Sequence, residues 1–118
     1  MTTPQGEGSP ATGTRPRQVC PHFHEAVELI GRRWSGAILY ALAEEGPLRF
    51  AELKERVPGM SDRLLSARLK ELEHEGLVRR RVHEGPGVRV SYELTRKGDS
   101  LKPVMGSLQD WARRWHRA

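Results

Sequence analysis

From Phe23 onward the apolar positions recur with a helical period that later gives way to strict alternation. Phe23, Ala26, Val27 and Ile30 stand at i, i+3, i+4 and i+7, one face of a helix that Gly31 ends. Trp34, Ala37, Ile38, Ala41 and Leu42 repeat that spacing as far as "EEGP", where Gly46 and Pro47 forbid continuation. Phe50, Leu53 and Val57 form a third, shorter apolar face stopped by Pro58 and Gly59. In "PGMSDRLLSARLKEL" Ser61 carries the hydroxyl of an N-cap, and the helix it opens is predicted to run to about Glu75, before Gly76.

After Gly76 the period becomes two. Val78 and Val82 alternate with Arg79, Arg81 and His83, and Val88, Val90, Tyr92 and Leu94 alternate with Arg89, Ser91 and Glu93. "EGPG" between the runs has turn chemistry, so a two-stranded hairpin with one apolar face is expected. Helical sequence resumes at Thr95, and Leu101, Val104, Leu108, Trp111 and Trp115 follow the three- and four-residue steps of a helix seam. Pro103 either kinks that helix or falls in the first turn of one restarting near Ser100.

Residues 1–18 are rich in Gly, Pro, Ser and Thr without apolar periodicity and read as a disordered tail, leaving 19–118 as one folded domain. The 20 Lys and Arg against 15 Asp and Glu give a formal charge of +5, which draws the protein toward polyanions, nucleic acid first and anionic membrane surfaces second. A single cysteine excludes an intramolecular disulfide framework and any multi-cysteine zinc site. With no apolar leader at the N-terminus and no apolar run of spanning length, a cytoplasmic location is expected.

Advancing the Ser61 helix by about 100 degrees per residue gathers Leu65, Leu69 and Leu72 into a buried stripe bordered by Leu64. The opposite face carries Arg63, Ser66, Ala67 and Lys70, and Glu71, Glu73 and Glu75 crowd the far end. Such a helix suits the major groove, because its start favours phosphate, Arg63 and Lys70 supply charge, and the small Ala67 permits close approach to base edges. Arg63, Ser66 and Ala67 are the candidate base contacts. Lys70 is a candidate phosphate contact, as are Arg79, Arg81 and Arg89 on the non-core face of the hairpin. Helix, short helix, tight turn, helix and basic hairpin is the order of a winged helix-turn-helix. A winged-helix module holding an acidic protein on the same surface is the alternative. No nucleophile-base pair, carboxylate pair or phosphate loop is visible, so neither an enzyme nor a cofactor is expected.

"CPHFHEAVELIGRRW", "GPLRFAELKERVPGMSDRLLSARLKELEHEGLVRR" and "RVSYELTRKGDSL" together resemble the HxlR-type winged helix-turn-helix transcriptional regulators, over Cys20 to at least Leu101. The resemblance implies a mainly α (α+β) fold with a two-stranded wing, and a homodimer built from the N- and C-terminal helices. It implies binding to an inverted-repeat operator on double-stranded DNA, usually to repress. The seam then acquires a partner in the other subunit, and Phe23, Val27, Leu101, Leu108, Trp111 and Trp115 become its interface residues. The wing departs from the family, reading "PGVRV" where a Pro-Pro-Arg run is common.

Some members of this family sense electrophiles or oxidants through a cysteine at the position of Cys20. Its place before Pro21 at a helix start, with Arg17 nearby, favours thiolate. A small-molecule or oxidant effector is consistent with this, and Trp34, Trp111 and Trp115 are candidates to line a pocket, although aromatics at helical spacing usually serve a core. Cys20, His22 and His24 do not make a metal site, because alternate residues of a helix point about 200 degrees apart and no clear fourth ligand exists.

Overall fold

The structure is a computed structural model in which residues 17–87 and 89–116 are described. The expected tail lies outside the described residues over 1–16, as does Val88 of the hairpin. The chain divides into two units, one up to Gly31 and one from Arg32.

In the first unit α1 spans Pro21–Gly31, and none of its residues is buried. The Cys20 carbonyl accepts the His24 N–H at 3.0 Å, so Cys20 is the last residue before the helix proper. Phe23 and Val27 of the expected apolar face are exposed.

The second unit begins with a short joint, Arg32 to Trp34, ahead of α2 (Ser35–Glu45). The joint turns on Trp34, whose φ of 77° makes it the non-glycine residue in the left-handed region among those described. A bulky side chain there costs about 1–3 kcal/mol, and packing must offset it. That packing is on the turn before the fourth helix, where a Cβ at Gly59 would lie 3.2 Å from the Trp34 ring. Gly59 itself has a φ of +102°, so the Pro58-Gly59 corner needs glycine for its backbone and for the indole above it.

Next come α3 (Phe50–Arg56) and α4 (Asp62–His74), the latter capped by Ser61 Oγ, which accepts the Leu64 N–H at 3.1 Å. Ile38, Leu39 and Leu42 of α2, Leu53 of α3, and Leu65, Leu69 and Leu72 of α4 form the core with Leu77 and Val78. The predicted leucine stripe of α4 is thus its buried side.

Two strands follow, β1 (Val78–His83) and β2 (Arg89–Leu94), antiparallel with Val78 opposite Leu94 and His83 opposite Arg89. Leu48 adds a bridge to Tyr92 on the outer edge of β2, with bonds of 2.9 and 2.8 Å, which ties the hairpin to the α2–α3 connection. At its base the apolar face is covered at Val78, while toward the tip Val82 is exposed.

Thr95 caps a single turn, α5 (Arg96–Asp99), and α6 (Lys102–Trp115) starts afresh with Pro103 in its first turn. Of the two courses open to Pro103, the restart is the one observed. Gly98 marks a close approach, since a Cβ there would sit 2.1 Å from the Leu77 carbonyl oxygen. Gly98→Ala is expected to destabilise the fold by about 3 kcal/mol, because backbone rather than a flexible side chain must yield. Chemical denaturation of the variant measures this.

α6 packs on α2 through its half-buried side, where Gln109 Nε2 donates to the Tyr40 hydroxyl. Its other side presents Val104, Leu108, Trp111 and Trp115, which are 50–67% exposed. The tryptophans at helical spacing are therefore no part of this chain's core. Leu101, expected on the same seam, is half-buried instead, because it stands at the N-cap of the restarted helix.

Candidate nucleic-acid interface

On α4 the residues singled out for DNA contact share one outward side. Arg63, Ala67 and Lys70 are exposed, and Ser66 is half-buried beside Ala67. The capped start of this 13-residue helix leaves other N–H groups facing outward with its positive dipole end. Asp62 in the first turn would oppose an anion, but Lys54 of α3 holds it at 2.6 Å.

The far half of α4 is anchored. Arg68 Nε donates to the Arg33 carbonyl at 2.9 Å, and Glu71 accepts from Arg68 at 3.3 Å and Arg32 at 3.0 Å. Sequence reasoning had assigned Arg68 no role. It joins the left-handed joint to α4, and Glu71, read as one of the acidic residues of the last turns, is a clamp.

The hairpin's arginines divide differently from expectation. Arg79, Arg81 and Arg89 do fall on one face, opposite Glu93, Ser91 and His83. Arg79 and Arg81 converge on the Glu93 carboxylate, Arg81 at 3.4 Å. The Arg79 guanidinium holds the Glu93 carboxyl below the usual carboxylate range. The strand base therefore carries two arginines that share one carboxylate, so one of their two charges is neutralised within the chain. Arg89 has no carboxylate within 4 Å among the described residues.

Arg89 lines an open cleft of about 520 Å³ between the hairpin and the start of α3. Across it stands Arg49, which sequence reasoning missed, since a lone arginine before a short helix breaks no pattern. Cys20 is exposed. No three His, Cys, Asp or Glu are placed to hold a metal ion among the described residues, and no described helix is long and apolar enough to cross a membrane.

A helix-turn-helix whose second helix presents basic and small residues outward, followed by a basic hairpin tied back to the helical core, defines a winged helix-turn-helix DNA-binding transcriptional regulator. The HxlR-like helix-turn-helix family model matches residues 29–118, and the chain belongs to that family. It is 43% identical over 98 residues to the HTH-type transcriptional regulator YvaP of Bacillus subtilis, covering 83% of this chain and 90% of YvaP. It is also 43% identical over 94 residues to the HTH-type transcriptional regulator YodB of the same organism, covering 80% and 83%. The reduced form of YodB superposes with a TM-score of 0.75 at 40% identity, covering 85% of this chain and 97% of that one; YodB has also been solved diamide-treated and quinone-bound. The redox regulator HypR in its oxidised form gives a TM-score of 0.76 at 30% identity, covering 84% and 100%.

Proposed function

We propose that this chain acts in the cytoplasm as a homodimer that recognises an inverted-repeat operator in double-stranded DNA and represses transcription there, with no enzymatic activity and no cofactor. The observation that carries the reading is α4, with its leucines buried, its N-terminal half free, and Arg63, Ala67 and Lys70 on the free side. Arg63, Ser66 and Ala67 read bases, while Lys70 and the wing's Arg79, Arg81 and Arg89 hold phosphates. The exposed Phe23 and Val27 of α1, and Leu101, Leu108, Trp111 and Trp115 at and along α6, form the subunit interface. The exposure of Leu108, Trp111 and Trp115 supports this, because apolar surface of that size on one helix calls for a cover.

Cys20 senses an oxidant or electrophile. Its exposure supports this role, as do the reduced, diamide-treated and quinone-bound states in which the related YodB has been solved. With one cysteine in the chain, the disulfides open to it join two copies or a small thiol.

Salt response tests the DNA reading. Binding to duplex should weaken steeply and linearly in log affinity against log salt, with random duplex competing weakly against the operator. A shallow response with no gain from any duplex would favour an acidic protein partner on the same surface.

A further inference from the structure

We infer that a backbone phosphate of duplex DNA seats in the cleft between the hairpin and the start of α3, held by Arg49 and Arg89 from its two sides, outside the bases read by α4. This rests on the DNA-binding reading above, which already gives Arg89 to phosphate, and adds Arg49 and the single phosphate that the two share.

The cleft walls settle which groups are free. On the α3 side, Glu52 Oε1 already accepts the Arg49 backbone N–H at 2.7 Å. On the hairpin side, His83 Nε2 and Ser91 Oγ lie 2.8 Å apart and satisfy each other. Glu93, the carboxylate that occupies Arg79 and Arg81, is not among the residues lining the cleft. Among the described residues neither Arg49 nor Arg89 has a carboxylate within 4 Å. Two exposed guanidinium groups therefore line one open space together with the carboxylates of Glu52 and Glu84, and neither guanidinium is within 4 Å of those carboxylates among the described residues, so both remain available to an anion. Their planar forks match the paired oxygens of a phosphodiester better than a point cation would.

Position adds to charge. In a winged helix-turn-helix the duplex read by the second helix continues past the wing, so a cleft beside the wing meets its backbone. Leu48, one residue before Arg49, is bonded into the edge of the hairpin, which fixes the two walls relative to each other. Glu84 also lines the cleft and is exposed. Its carboxylate would repel a phosphate, which gives the proposal a second, opposite sign to test.

The test uses the reduced full-length protein, its selected operator, a random duplex, and a set of operators each carrying one neutral methylphosphonate linkage. Arg49→Ala and Arg89→Ala should each flatten the logarithmic salt slope by about 1, alike on operator and random duplex. One linkage, beyond the bases read by α4, should weaken the wild type when neutralised and weaken each variant less, since each retains one of the two guanidinium groups. Glu84→Gln should tighten binding to every duplex. Arg89, exposed on the hairpin, keeps the test open if Arg49→Ala disturbs the start of α3. Unchanged slopes in both variants, or weaker binding by Glu84→Gln, would overturn the inference while the loss of specificity in Arg63→Ala left the DNA reading standing. A wild type with no duplex affinity would overturn both.

Discussion

Replacing Trp111 and Leu108 together by aspartate should leave the protein monomeric and reduce its operator affinity by about 100-fold or more. Both side chains are more than half exposed on the outer side of α6, and neither belongs to the core that holds the helices and hairpin together. The substitutions should therefore leave the far-ultraviolet circular dichroism of each subunit unchanged, while loss of the partner removes the concentration dependence of the unfolding midpoint. What they remove is the linkage of two reading heads, whose effective concentration multiplies the affinity of each by roughly 10²–10⁴. Sedimentation velocity reads the mass and gel shift reads the affinity. A monomer that still bound the full operator as tightly as wild type would show that each half-site is read independently.

The second large effect divides α4 by role. Arg63→Ala should lose about 1–3 kcal/mol of discrimination at one base pair of each half-site while changing affinity for random duplex little. Lys70→Ala should weaken all sequences alike and lower the salt slope by about 1. Both residues are exposed and neither takes part in an ion pair among those described, so the losses are not confounded with folding. Equal losses for both variants on every duplex would mean that Arg63 also serves only the backbone.

Much of this arrangement was legible because it rests on short-range pattern. The α4 stripe was visible in the spacing of Leu65, Leu69 and Leu72, and its start in Ser61, whose hydroxyl does accept the Leu64 N–H. The hairpin followed from the change of period, though not its register, which the pairing of Val78 with Leu94 sets. What stayed hidden depends on contacts between distant residues. Trp34 takes a left-handed backbone that its own sequence disfavours, because the ring packs over Gly59, far along the chain. Arg79 and Arg81 read as free charges until Glu93, which the register sets directly across from Arg79, is placed between them. Leu101 matched the α6 seam by spacing, yet the restart of the helix turns it partly inward. Arg49 had no periodic partner at all and became visible only as one wall of a cleft.

The Arg32–Glu71–Arg68 cluster gives these pieces a common frame. It ties the joint to the far half of α4 and leaves the N-terminal half with its exposed side chains outside the cluster.

The measurement that bears most directly on the account is selection of bound sequences from a random duplex pool by the reduced protein at moderate salt. The account predicts an inverted repeat whose half-sites are centred about one helical turn, roughly 34 Å, apart. Recovery of a single unrepeated site, or of no preferred sequence at all, would contradict it.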